Sequence, residues 1–312
     1  MFPLPFLRCA PASLAASLLL LAGTHGLAEA ATPLSAIGIE NQYADVIAQI
    51  GAPYVAASAI MSDPNTDPHS FEVSPRIEGD VARADLIVEN GLGYDGWADK
   101  MIAATPRPGR IIINVGKLRH LPDSTPNPHL WYDPTTMPAV ARAVAAALGK
   151  LDPAHAAYFT GKAEAFDASL KPWYAALAAL RQDYPNAPVA VTEPVGDYML
   201  QAAGTDILTP FALQAAIMND TDPAPQDVSS QNRLLTQGKV RVFVYNQQVT
   251  DPLTNSFLAL ANQHGVPVVG VYETMPAPGY HYQSWMLAEV AALRRALADK
   301  VSTESLLKPA AP

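Results

Sequence analysis

Two histidines preceded by proline and two glutamates at the ends of apolar runs are the side chains best placed to do chemistry. The first histidine lies in Asp63-Pro-Asn-Thr-Asp67-Pro68-His69-Ser70-Phe71-Glu72, the second in Asn127-Pro128-His129-Leu130-Trp131-Tyr132-Asp133-Pro134. In each case proline stiffens the loop, presenting an imidazole in place without help from a regular element. The glutamates follow short β-branched runs. Pro188-Val-Ala-Val-Thr192 leads into Glu193-Pro194, and Val266-Pro-Val-Val-Gly-Val-Tyr272 leads into Glu273-Thr-Met275-Pro276. Two neutral imidazoles and two carboxylates form a mixed nitrogen and oxygen donor set for a divalent first-row metal such as Zn²⁺, Mn²⁺ or Fe²⁺. Any one of the four alone is an ordinary loop or capping residue. Their convergence from both halves of the chain is what singles them out. His155 in the first turn of a helix and His264 before Gly265 are explained by capping or exposure, and His120 and His281 take the same plain reading.

The bulk properties agree with a cation as partner. The 312 residues carry 20 Lys+Arg and 29 Asp+Glu, a formal net charge of −9. That charge, with no basic tract, excludes nucleic acid and an anionic membrane surface as partners. Arg8, the apolar run Leu14 to Ala22 and the small residues of Ala28-Glu29-Ala30 read together as an export signal cleaved near Ala30. The run is too short for a membrane anchor. Cys9, the single cysteine, lies within that signal. The exported chain then lacks thiols, and any metal must be held through nitrogen and oxygen.

The elements that must position these residues follow from alternation. Short β-branched runs (Ser35 to Ile39, Tyr54 to Met61, Ala84 to Glu89 and Arg110 to Val115) are bounded by Gly, Pro or Asp and separated by Ala-rich amphipathic stretches. This pattern predicts βαβ units and mostly parallel sheets. Gln42 to Ile50 reads as a helix stopped by Gly51 acting as a left-handed cap. Residues 122–138 hold five prolines and read as an ordered loop. Asp152 to Tyr184 reads as one long helix, or two stacked end to end with the break at Pro172. Alternation then resumes with strands at Pro188 to Thr192, Val240 to Tyr245 and Val266 to Tyr272, and helices at Val195 to Ala203, Leu253 to His264 and Tyr282 to Leu297. In such sheets ligands sit at the carboxyl ends of the strands, where all four candidates fall. The expected map is a signal peptide at 1–30, an N-terminal α/β lobe at 31–151, a connecting helix at 152–184, a C-terminal α/β lobe at 185–302 and a flexible tail at 303–312.

Three stretches also resemble one known family. Asp67-Pro-His69-Ser-Phe-Glu72-Val-Ser-Pro75, Ala84-Asp-Leu-Ile-Val-Glu-Asn-Gly91 and Asn127-Pro-His129-Leu-Trp-Tyr-Asp133-Pro134 are similar to the metal-binding solute-binding proteins of ABC importers, the TroA-like zinc and manganese group of cluster A-I. The resemblance runs from about Ile37 to Leu297. It implies two α/β lobes on one rigid connecting helix with the metal between them. It further implies a periplasmic, monomeric carrier that is not an enzyme and delivers its ion to a permease driven by separate ATPase subunits. The family's first two ligands fall on His69 and His129, and its third on Glu193, where zinc carriers have His and manganese or iron carriers Glu. The fourth is usually Asp. Here Glu273 is the natural oxygen donor, with Met275 the alternative by strict count. The His-rich acidic loop common in zinc carriers is missing. A secreted zinc-dependent hydrolase is the competing expectation, although the chain has neither a His-Glu-x-x-His helix nor a Gly-x-Ser-x-Gly turn. A metal-bearing adhesin is a third.

Overall fold

The computed structural model describes residues 1–4, 32–64, 71, 73–276 and 279–306. Two four-stranded parallel sheets organise the chain from Pro33 onward. The first contains β1 (Leu34–Glu40), β2 (Val55–Met61), β3 (Leu86–Glu89) and β4 (Ile111–Asn114), in the order β2-β1-β3-β4. The second contains β5 (Pro188–Val191), β6 (Asp206–Ile207), β7 (Val242–Asn246) and β8 (Val268–Val271), in the order β6-β5-β7-β8. Each order reverses direction beside its first strand, between β1 and β3 and between β5 and β7. Parallel sheets open a crevice for ligands at such switch points. Glu40 ends β1, Glu89 ends β3, Glu193 follows β5 and Asn246 ends β7. Both crevices therefore place polar side chains at their mouths.

Helices α1 (Asn41–Gly51), α2 (Pro75–Arg83), α3 (Gly96–Ala104), α4 (Val115–Leu118) and α5 (Thr136–Leu151) belong to the first half. Helices α6 (Ala156–Ser169) and α7 (Lys171–Asp183) connect it to the second. There α8 (Asp197–Ala202), α9 (Phe211–Met218), α10 (Pro225–Thr236), α11 (Pro252–Gln263) and α12 (Tyr282–Asp299) complete the fold. Strand side chains alternate between two faces, and the core divides accordingly. Ala36 of β1, and Val242 and Val244 of β7, join one large apolar cluster shared by both lobes and the connecting helices. Ile37 and Ile39 face a separate cluster under α2 and α3, while Phe243 and Tyr245 face another under α10 and α11. Gly38 lies where α1 crosses β1 so closely that a Cβ would sit 2.1 Å from the Ala44 nitrogen. Among the described residues no helix is long and apolar enough to cross a membrane.

Several expectations need correction. Gly51 is the last residue of α1 and not a left-handed cap. The helix stops because Pro53 forces Ala52 into an extended conformation, and Gly51 leaves room for Val55, whose Cβ would lie 2.6 Å from an added Cβ. The proline-dense stretch is not all loop. Pro138 sits in the first turn of α5, where a missing N–H costs nothing, and Leu130–Tyr132 forms a 3₁₀ turn. The connecting segment takes the two-helix form of the expectation, the helices meeting at Leu170 with Pro172 at the start of the second. The expected flexible tail is docked at its beginning. Thr303 bridges to Val269, Ser302 Oγ accepts the Val268 N–H at 3.0 Å, and buried Leu306 donates its N–H to Tyr272 Oη at 2.7 Å. Residues 307–312, and residues 5–30 of the expected signal at 1–30, lie outside the described residues.

Candidate metal site

The first-lobe contribution rests on a loop that holds one histidine by both its backbone N–H and its ring. Asn127 Oδ1 accepts from the His129 backbone N–H at 3.0 Å and stands 2.8 Å from His129 Nδ1. An amide oxygen can only accept, so Nδ1 carries the proton and Nε2 is left as the donor atom for a metal. The loop is anchored in turn by Asn90 at the end of β3, whose Nδ2 donates to the Pro128 carbonyl at 2.9 Å. Asn90 is fixed by Tyr43 Oη, which donates to its Oδ1 at 2.6 Å. The residue after it must be glycine. Gly91 has φ +77°, and a Cβ there would lie 2.4 Å from Asn114 Oδ1.

The second lobe brings its carboxylates to the same place. His129 Nε2 lies 3.5 Å from Glu273 Oε2, and both side chains are fully buried. Glu273 is fastened from every side. Its backbone N–H donates to Gln248 Oε1 at 2.7 Å, and its carbonyl accepts from Gln42 Nε2 at 3.0 Å. Its Oε2 accepts from Tyr94 Oη at 2.8 Å, and its Oε1 from Asn246 Nδ2 at 2.8 Å. The same Asn246 amide donates to Glu193 Oε1 at 3.1 Å. The structure thus gathers His129, Glu193 and Glu273. The Met275 backbone N–H donates to Asn41 Oδ1 at 2.8 Å, and its carbonyl accepts from Asn41 Nδ2 at 3.3 Å. His69 lies outside the described residues, as do Asp67 and Glu72. Among the described residues no three His, Cys, Asp or Glu side chains already stand in metal-holding geometry. The acids are spaced by an amide.

The surroundings are strongly acidic and dry. Burial raises the Glu40 carboxyl well above the ordinary value, helped by the charges of Asp95, Glu89 and Glu273. Burial likewise lifts Asp95 to about 7 against the bonds it accepts from Gly91 and Asn90. The Tyr94 hydroxyl is pushed up by burial and then by Glu273, so it stays a proton donor. A buried concentration of carboxylates facing the His129 imidazole is stabilised by an entering divalent cation. Sequence reasoning passed over Glu40, Tyr94, Asn127, Asn246 and Gln248. The strand-end rule that singles out Glu193 applies equally to Glu40, which closes β1, and to Asn246, which closes β7.

The lobes meet around the site through side chains reaching across the seam. Asn127 Nδ2 donates to the Pro194 carbonyl at 2.8 Å, beside Glu193. Tyr132 Oη donates to the Tyr272 carbonyl at 3.0 Å, beside Glu273. Asp45 of α1 stands 2.7 Å from His281 Nδ1 and accepts the Tyr282 N–H at 2.8 Å, capping α12. His281 and His155, the latter stacked on Tyr54 and bonded to Asp152, therefore have structural partners.

Comparison with known proteins agrees with this arrangement. Residues 40–296 match the family described as "ZnuA: Zinc-uptake complex component A periplasmic". The iron-binding protein YfeA of Yersinia pestis is 24% identical over 215 residues, 66% of this chain and 67% of its own. The periplasmic zinc-binding protein TroA of Treponema pallidum has a similar fold, with TM-score 0.72 and 18% identity over 86% of this chain and 100% of that one. FpvC of Pseudomonas aeruginosa, solved in complex with Mn²⁺, has TM-score 0.69 and 21% identity over 86% and 100% of the two chains. With most of its length matched and the two-lobed fold in common, the chain belongs to the ZnuA family of periplasmic metal-binding solute-binding proteins, which are transport components and not enzymes.

Proposed function

We propose that the chain captures one divalent transition metal, zinc or manganese and in chemical principle Fe²⁺, through His69, His129, Glu193 and Glu273. It then hands the ion to an ABC-type permease whose ATPase subunits are separate chains. The observation that carries this reading is the buried approach of His129 Nε2 and Glu273 Oε2 to 3.5 Å, one from each lobe. An imidazole locked into the Nδ1–H tautomer and aimed at a carboxylate is an arrangement that an inserted cation completes. On this reading residues 1–30 are an export signal removed near Ala30. Residues 31–151 and 185–302 are the lobes, 152–184 connects them, and the carrier acts as a periplasmic monomer. The hydrolase alternative has no support in the family.

Metal-stripped protein titrated with Zn²⁺ in a calorimeter should bind one equivalent, and His129→Ala should weaken binding by orders of magnitude while circular dichroism stays unchanged. Equal affinity in the two proteins contradicts the reading.

A further inference from the structure

The amide of Asn246 occupies a position that bears on which metal is taken. The residue ends β7 and is fully buried. Its orientation is determined by its neighbours. Its Oδ1 accepts the Gln248 backbone N–H at 3.0 Å, and its own N–H donates to Thr192 Oγ1 at 3.0 Å. With the oxygen so engaged, the amide nitrogen must face the acids. It donates to Glu193 Oε1 at 3.1 Å and to Glu273 Oε1 at 2.8 Å. One NH₂ group therefore engages a single oxygen of each carboxylate, using both of its protons. While these bonds persist, one lone pair of each Oε1 is taken, which disfavours coordination of a cation through both oxygens of either acid. Tyr94 Oη adds a donor to Glu273 Oε2, the oxygen on the His129 side.

We propose that Asn246 is a selectivity-setting, positioning residue that biases Glu193 and Glu273 towards single-oxygen coordination. It thereby favours an ion content with four ligands over one that seeks six. Zinc takes tetrahedral nitrogen and oxygen sets, whereas manganese suits octahedral, oxygen-rich ones. The inference rests on the ligand reading above and adds what that reading leaves open, namely why two carboxylates at a metal site need not make it a manganese site.

The test is a competitive titration of Zn²⁺ against Mn²⁺ on metal-stripped wild type and on Asn246→Leu, which keeps the bulk and removes the donor. Releasing both Oε1 atoms should tighten Mn²⁺ and weaken Zn²⁺, lowering the zinc-over-manganese ratio by about tenfold or more. A purely structural role would weaken both ions alike, and an unchanged ratio overturns the proposal. X-ray absorption on zinc-loaded wild type gives an answer that does not depend on the variant folding. The proposal expects four nitrogen or oxygen neighbours at about 2.0 Å, and a shell of five or six overturns it. Wild type that binds neither ion overturns the ligand reading itself, whereas tight binding with a ratio indifferent to Asn246 overturns only this inference.

Discussion

Exchanging Glu289 for glutamine alters one protonation equilibrium while keeping the shape of a fully buried side chain. Glu289 lies on α12 beneath the interlobe seam. Its Oε1 accepts from Trp285 Nε1 at 3.0 Å and lies 3.3 Å from Tyr132 Oη. Burial pushes its carboxyl from the ordinary 4.5 up to about 8, against the lowering effect of those two neighbours. Because the folded state prefers the neutral acid, its contribution to stability is complete below pH 4.5 and is lost as pH rises to about 8. At about 1.36 kcal/mol per pH unit, that interval is worth roughly 4–5 kcal/mol as an upper bound. For a chain of this size that corresponds to about 7–8 °C in melting temperature. Glutamine mimics the neutral acid. Metal-stripped wild type and Glu289→Gln should therefore melt within a degree or two of one another at pH 5, while at pH 9 the variant melts higher by as much as about 8 °C. Asp95 and Asp197, both raised to about 7 by burial, shift stability in the same direction but do so in both proteins. They cancel in the comparison. Melting curves with the same pH dependence in the two proteins would refute the reasoning.

Two further substitutions address how the site is held. Asn127→Ala removes the acceptor of His129 Nδ1 and the bridge to Pro194. Zinc binding should weaken about 10- to 100-fold in calorimetry, with about 1–3 kcal/mol of stability lost in urea, and an unaltered dissociation constant would show that the imidazole needs no orienting partner. Gly38→Ala places a methyl group 2.1 Å from the Ala44 nitrogen, so α1 must move off β1. The variant should melt several degrees lower, and a wild-type melting temperature would mean that the close crossing is not required.

Much of the fold was legible because its strands are short β-branched runs cut off by Gly, Pro or Asp, and because Pro172 announces the break between α6 and α7. What escaped notice has physical causes. Strand β6 is only Asp206–Ile207, too short for any alternation to register. The residues from Ser302 to Leu306 look like a polar tail, yet Ser302 and Thr303 bond the edge of β8 and Leu306 bonds Tyr272, contacts that no local pattern announces. His129, Glu193 and Glu273, which the structure brings together, stand out in the sequence because each lies in a stiff loop or at a strand end. The residues that hold them carry no such mark: Asn246 and Gln248 acquire their roles from partners far away in sequence, and Asn127, although only two residues from His129, reads as an ordinary loop amide. Asn246, for example, meets Glu193 across 53 residues. An amide between two carboxylates has no signature in local spacing.

Anomalous diffraction at the zinc absorption edge, from crystals of the metal-loaded protein, tests the central claim most directly. A single strong peak bonded to His129 Nε2, Glu193 and Glu273, with His69 completing the set, is the predicted result. A peak at any other place, or a zinc ion at the seam held without His129 and Glu273, would contradict the account.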